Sequence, residues 1–164
     1  MSSTNNDIFQ ARKSIEQVEE SQELAPKFDE HGLIPVITTD HKSGEVLMQG
    51  YMNREALEKT IATGQAHYYS RSRKVIWHKG ATSGLYQNLI EMRIDDDQDC
   101  VWLRVEVLGS GASCHVGYRS CFYRTIPFGK DFTPGKTIEL NFTEHEKTFD
   151  PKEVYGDVAN PTQL

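Results

Sequence analysis

The sequence predicts an α+β domain, predominantly antiparallel β with one short central helix. Three observations predict it. Residues 32–39 (GLIPVITT) and 46–50 flank the turn cluster DHKSGE and read as a hairpin. A single helix is bracketed by Asn53 and Gly64. Beyond Gly64 the chain runs in short β-branched and aromatic stretches, of which residues 101–108 (VWLRVEVL) are the strongest.

Taken in order, residues 1–30 form an N-terminal extension. Ile8, Ala11, Ile15 and Val18 recur at helical spacing, which predicts a short amphipathic helix with a Glu- and Gln-rich outer face. Nothing in it points to chemistry, so it reads as a solvated or partner-covering arm. Asn53 is a good N-cap, because its side chain can accept from an orphan helix amide. The helix covers residues 54–62, with Leu57 and Ile61 on one face, and Gly64 suits the left-handed C-terminal cap. Strands are expected at 66–70, 75–79, 89–94 and 101–108, then a flexible turn at 109–112 and a further strand at 121–126. Residues 137–142 (TIELNF) alternate cleanly and predict another strand. The end of the chain is charged, carries Pro151 and Pro161, and reads as a loose tail. The organisation is therefore an extension (1–30), a domain (31–126) and a C-terminal extension with one strand and a tail (127–164).

A chain of 164 residues fits one domain, and 37% hydrophobic with 26% charged residues still allows a single core. A net charge of −6 argues against a nucleic-acid partner. No apolar run approaches the ~20 residues that cross a bilayer, and residues 1–10 lack a signal-peptide core. A cytoplasmic protein with no membrane partner is expected. The cysteines are Cys100, Cys114 and Cys121, an odd count that points away from a disulfide framework and toward metal thiolates, reactive thiols or buried residues.

Three segments carry candidate chemistry. In the first, Asp95, Asp97 and Asp99 alternate within DDDQDC, so an extended backbone would put all three carboxylates on one face. Such a set repels itself unless a cation sits between, and all-oxygen ligands suit Mg²⁺ or Mn²⁺. A solvated acidic turn is the plain alternative. A calcium-binding helix–loop–helix is excluded, because Cys100 occupies its obligatory glycine position and the following residues read as strand. In the second segment, Cys114 and Cys121 bracket a loop around Gly117 that can bring both sulfurs to one ion, with His115 beside them. Two cysteines alone are equally compatible with buried thiols. In the third, Tyr69-Ser70-Arg71-Ser72-Arg73 and Lys79-Gly80-Ala81-Thr82-Ser83-Gly84 concentrate cations, hydroxyls and permissive glycines in an otherwise acidic chain. Guanidiniums match phosphate oxygens in pairs and Gly turns expose amides, so a phosphorylated substrate is expected, against exposed basic strands as the alternative.

Several further stretches occur in a fixed order with these: Gly32-Leu33-Ile34-Pro35, Gly44-Glu45-Val46-Leu47-Met48, Tyr51-Met52-Asn53, Glu55-Ala56-Leu57, residues 64–73, Trp77 through Gly84, Gln87, the aspartates, and residues 114–124. Together they resemble the phosphoribosyl-AMP cyclohydrolase family over residues 31–124. The resemblance implies an intertwined homodimer with active sites at the subunit interface, and Mg²⁺ at Asp95, Asp97 and Asp99. It implies a zinc site of three cysteines, two of which match Cys114 and Cys121. The third belongs between the first two aspartates, where this chain has Asp96. Cys100 would lie about 13 Å further along a continuous strand and could replace it only through a bulge. Either Asp96 joins Cys114 and Cys121 in holding zinc or another divalent ion, or the chain is a paralogue working with less zinc or none. A carboxylate in place of a thiolate shifts preference toward ions such as Mn²⁺ or Fe²⁺.

The implied activity is hydrolytic opening of the adenine ring, at the C6–N1 bond, of 1-(5-phosphoribosyl)-AMP in histidine biosynthesis. Metal-activated water is the expected nucleophile and His115 the proton shuttle. Ser70, Arg71, Ser72, Arg73, Trp77, Lys79, Thr82 and Ser83 are the expected substrate contacts. The alternatives are a metal-dependent hydrolase acting on another purine nucleotide, and a non-catalytic metal- or nucleotide-binding copy.

Overall fold

The computed structural model describes residues 7–131 and 133–164, so residues 1–6 of the expected N-terminal arm lie outside the described residues. The elements run α1 (Ile15–Glu20), β1 (Ile34–Asp40), β2 (Val46–Met52), α2 (Arg54–Thr63), β3 (His67–Ser70), β4 (Val75–His78), β5 (Gln87–Ile94), β6 (Val101–Val107), β7 (Arg124–Thr125), β8 (Asn141–Phe142) and α3 (Pro151–Tyr155). The architecture is α+β with mostly antiparallel pairing, as the sequence predicts.

The main sheet has the order β2-β1-β6-β5. Residues 40–45 close the β1–β2 hairpin, in which Ile34 faces Met52 and Val36 faces Gly50. One pairing departs from the antiparallel expectation: β1 and β6 run parallel, from Val36 against Val101 to Asp40 against Val105. Both are central strands, and their inward residues Val36, Leu103 and Val105 are fully buried. Strands buried in this way read as apolar runs whatever their direction, so local pattern does not report orientation.

Helix α2 begins at Asn53, whose side chain accepts from the Ala56 amide, and ends at Gly64 with φ 70°. It buries Ala56, Leu57 and Thr60, while Ile61 stays 41% exposed instead of joining Leu57 in the core. Thr60 takes the place expected for Ile61: its hydroxyl donates to the Ala56 carbonyl at 2.8 Å and accepts from the His67 amide at 2.9 Å. The helix is thereby tied to the β3–β4 hairpin. That hairpin joins the main sheet through Ala66 N–H to the Gln87 carbonyl (3.0 Å) and Leu89 N–H to the Gly64 carbonyl (2.8 Å). At the junction the Tyr68 hydroxyl is buried between Thr38 Oγ1 and Gln87 Oε1, at 2.6 Å from each. A Cβ on Gly50 would meet the Tyr68 ring at 2.9 Å, which explains a glycine mid-strand.

The N-terminal helix is shorter than its apolar spacing predicts. Ser14 caps it and it covers Ile15–Glu20 only. Upstream, the Gln17 side chain takes the Lys13 amide (2.7 Å) and donates to the Ala11 carbonyl (2.9 Å), occupying groups a longer helix would need. Phe9 instead enters the core.

The C-terminal region also differs. Residues 121–123 are not strand, because the Cys121 amide donates to the Leu47 carbonyl (2.7 Å) and the Phe122 amide to Ser120 Oγ (2.9 Å). Of the alternating segment 137–142 only Asn141–Phe142 pairs, with Arg124–Thr125. Ile138 and Leu140 remain 45% and 44% exposed, with no partner strand among the described residues. The tail is not loose: it carries α3, capped by Asp150 with Pro151 in the first turn. No helix among the described residues is long and apolar enough to cross a membrane.

Candidate active site

In the basic segment, Ser70 ends β3 and Arg71-Ser72-Arg73 lie in the turn that leads to β4. The segment borders a trough of about 600 Å³ whose floor includes Met48, Gly50, Tyr51 and Trp77. Arg71 lies over the Tyr51 ring at 4.1 Å, so its guanidinium is held at the trough edge by a cation–π contact. A smaller hollow of about 180 Å³ adjoins the trough and shares Arg73, Trp77 and Pro161 with it. Its lining adds Thr82 and His115, and opposite them Tyr155 and Asn160.

The cysteine loop contributes His115 to the lining of this hollow. Gly117, at φ 106°, lets the chain reverse so that the Cys114 amide donates to the Tyr118 carbonyl at 3.2 Å. Ser113 N–H to the Arg119 carbonyl (2.9 Å) closes the loop, and Cys121 returns beside Cys114. The two thiols lie within hydrogen-bonding reach of each other. The Cys121 thiol, donating to Cys114, is the main reason the Cys114 pKa falls to about 6. Burial opposes that fall, and the amides of Val116 and Tyr118 with the Lys79 charge assist it. Cys121 is correspondingly pushed up, first by that shared bond and then by burial. One thiolate is therefore available at neutral pH, and a paired thiol can release its proton to an arriving cation.

Lys79 does not reach the trough. It is 1% exposed, its ammonium donates to the Ser113 carbonyl at 2.8 Å and lies 4.5 Å from the centre of the Trp77 ring. Burial lowers its pKa to about 8, with both thiols opposing. It stands behind the thiols as their counter-charge, a placement the local sequence does not reveal. Ser83 is not among the residues lining the trough; its hydroxyl accepts from the Leu85 amide at 3.2 Å.

His115 follows Cys114 in the chain and lines the smaller hollow. Its Nε2 is buried with no hydrogen-bond partner among the described residues. A buried, unsatisfied ring nitrogen is costly, and its position marks where a ligand or water atom belongs. Burial lowers its pKa, the Asn160 side chain opposes that, and the charges of Lys79 and Arg73 add to it. A neutral imidazole able to accept a proton results.

The three alternate aspartates converge, but not on a strand. Residues 95–100 form the connection between β5 and β6. Asp95 Oδ1 accepts from the amides of Asp99 (2.9 Å) and Cys100 (3.0 Å), folding the segment back. One ligand oxygen from each of Asp95, Asp97 and Asp99 lies within 4.8 Å of the others. The crowding pushes Asp99 up to about 6, chiefly through Asp95, then burial, then Asp97. An all-oxygen cluster strained by its own charge fits a hard divalent cation.

Between these carboxylates Gln98 points the other way, with φ 57°. Its side chain accepts from the Ala25 amide (2.8 Å) and donates to the carbonyls of Val18 (2.8 Å) and Glu23 (3.1 Å). Arg12 adds a bond to the Asp97 carbonyl at 2.9 Å. The N-terminal arm is thus latched to the acidic loop, a link that no motif announces. Asp96 borders the arm beside Val18 and Glu19. Among the described residues, neither Asp96 nor Cys100 is grouped with Cys114 and Cys121.

A family model described as phosphoribosyl-AMP cyclohydrolase matches residues 48–123. A curated protein named phosphoribosyl-AMP cyclohydrolase from Rhodopseudomonas palustris (strain ATCC BAA-98 / CGA009) is 53% identical over 141 residues, covering 86% of this chain and 90% of the relative. One of the same name from Nitrobacter winogradskyi is 50% identical over 143 residues, covering 87% and 94%. Another from Rhizobium leguminosarum bv. trifolii is 51% identical over 139 residues, covering 85% and 89%.

Proposed function

Because this chain belongs to the phosphoribosyl-AMP cyclohydrolase family, we propose that it hydrolyses 1-(5-phosphoribosyl)-AMP in histidine biosynthesis, with His115 moving the proton. The observation that carries the residue assignment is the buried Nε2 of His115, without a hydrogen-bond partner among the described residues, in a hollow also lined by Arg73, Trp77 and Thr82.

The ribosyl group on N1 makes C6 of the adenine ring electrophilic. Water adds to C6 and the C6–N1 bond breaks. The oxygen stays on C6 as the carboxamide oxygen, so both protons leave the water: one arrives at N1 and the other on the exocyclic imine nitrogen, which becomes the amide NH2. His115, held neutral by burial, accepts one of these protons and returns it to N1. Arg71 and Arg73, with Ser70 and Ser72, hold phosphate at the trough, Trp77 gives the base an aromatic face, and Thr82 reaches the ribose side. Lys79 and Ser83 support this surface from behind.

Cys114 and Cys121 would hold a thiophilic divalent ion, and Asp95, Asp97 and Asp99 would hold Mg²⁺. An ion at the thiols supplies Lewis acidity that lowers the pKa of a nearby water toward neutrality. The third ligand of the thiol site, Asp96, would come from a second copy of the chain, making the functional unit a homodimer. A carboxylate there relaxes metal choice beyond zinc.

The test is direct assay of the purified protein with 1-(5-phosphoribosyl)-AMP, alongside rescue of a histidine auxotroph that lacks this step. Ring opening with rescue is expected. Turnover of other purine nucleotides without ring opening would replace the reading with a different hydrolase. Metal analysis after chelation, with Zn²⁺, Mn²⁺ and Fe²⁺ added back, addresses the ion. A zinc that resists chelation and alone restores activity would overturn the relaxed choice.

A further inference from the structure

We propose that residues 151–161 are a working wall of the substrate pocket, in which Tyr155 sets the Thr82–Ser83 turn and Asn160 orients His115. The proposal rests on the ring-opening reading above and adds two positioning residues from outside the matched segment 48–123.

The wall is anchored to the cysteine loop before it reaches the pocket. The Thr148 amide and hydroxyl both donate to the Gly117 carbonyl, at 2.7 and 3.1 Å. A Cβ on Gly117 would lie 2.5 Å from the Phe149 carbonyl oxygen, so the glycine leaves the gap through which this strand of chain passes. Arg119, in the same loop, bonds Glu144 at 2.7 Å. Tyr118 and Tyr123 stack with centroids 4.0 Å apart, and Phe142 packs on both. Any movement of this segment is therefore felt at Cys114 and His115.

From that anchor α3 turns the chain over the hollow. Asp150 caps it through the Lys152 amide at 2.9 Å, and Phe149 meets the Tyr155 ring edge-on at 6.0 Å. Tyr155 and Asn160 line the hollow together with Thr82 and His115, with the Tyr155 hydroxyl near Ser83 and the Asn160 side chain near the His115 ring. Asn160 shares the lining of the hollow with His115, and its side chain interacts with the ring. An amide can either donate or accept, so it can hold the ring on both sides of a proton transfer. Misplacing a reacting group by about 1 Å can cost on the order of 10²-fold in rate, which gives such a contact leverage on turnover.

The variants are Asn160→Ala, Tyr155→Phe, Asn160→Gln, and a chain ending after Gly156. Each is measured for kcat and KM, for melting temperature, and for AMP binding followed by fluorescence of Trp77. The other tryptophan, Trp102, is tied to Thr39 at 2.7 Å in the main sheet. Asn160→Ala should lower kcat by roughly 10-fold with KM little changed, and Asn160→Gln should recover part of it. Tyr155→Phe should raise KM by roughly threefold with kcat retained. The shortened chain should bind AMP more weakly than the parent. Parental kcat and KM in both point variants would overturn the proposal. So would tighter AMP binding by the shortened chain, which would make the segment an obstruction. If the parent itself opens no ring, the functional reading fails instead, and the AMP titration still decides whether the wall contributes.

Discussion

Replacing Gln98 by alanine tests whether the acidic loop and the N-terminal arm form one unit. The substitution removes three bonds to backbone groups: the Ala25 amide, the Val18 carbonyl and the Glu23 carbonyl. Ala25 is fully buried and Val18 nearly so, whereas Glu23 lies at an exposed edge where water can replace its lost donor. Two buried groups are thus left without partners, at roughly 1–3 kcal/mol each. The expected loss is about 2–6 kcal/mol, the lower end applying if water enters the vacated space. Gln98 also sits at φ 57°, a conformation that costs a non-glycine residue on the order of 1 kcal/mol. Gln98→Gly removes the same bonds and recovers that strain, so it should be milder than Gln98→Ala by about 1 kcal/mol. Urea denaturation measures both differences, and hydrogen exchange over residues 8–28 shows whether the arm detaches first. A loss below about 0.5 kcal/mol for Gln98→Ala, with the arm still protected, would refute the latch.

Three other outcomes follow from the same contacts. Asp99 has its pKa raised to about 6, so the folded metal-free protein binds this proton more tightly than the unfolded chain. Its contribution is complete below the ordinary value of 3.8 and is lost as pH rises through about 6; melting curves should fall over that window, and Mg²⁺ or Asp99→Asn should abolish the fall. Tyr68→Phe leaves the Gln87 side-chain oxygen Oε1 and the Thr38 hydroxyl short of a buried partner, and denaturation should show a loss of about 1–3 kcal/mol. His115→Ala should reduce turnover by roughly 10²-fold while AMP binding stays near parental; near-normal turnover would remove His115 from proton transfer.

What the sequence discloses depends on how local the signal is. The β1–β2 hairpin and α2 are legible because their turn, cap and stop lie within a few residues of what they control: Asn53 bonds Ala56, and Gly64 ends the helix. The parallel pairing of β1 with β6 is not legible, since Val36 and Val101 carry no mark of direction. The TIELNF alternation misleads for the converse reason: it describes a strand but supplies no neighbour, and only Asn141–Phe142 finds one. In the site, the thiol pair, His115 and the basic turn stand out by residue type. Lys79 shows how type can mislead about direction, because a lysine among phosphate-binding residues turns inward to Ser113. Gln98 hides among aspartates, and Tyr155 and Asn160 sit in a segment whose composition suggests a tail. Their contacts span long sequence separations, where composition carries no information.

The seam between β1 and β6 has a kinetic consequence. The hairpin β1–β2 and the helix after it can form as soon as they are synthesised, yet β1 stays unpaired along its other edge until residues 101–105 arrive. Closing that loop costs chain entropy before any contact repays it, so a slow, rate-limiting step is expected at the joining of these two strands. Until then an apolar strand edge is open to neighbouring chains, and refolding yield should fall as protein concentration rises.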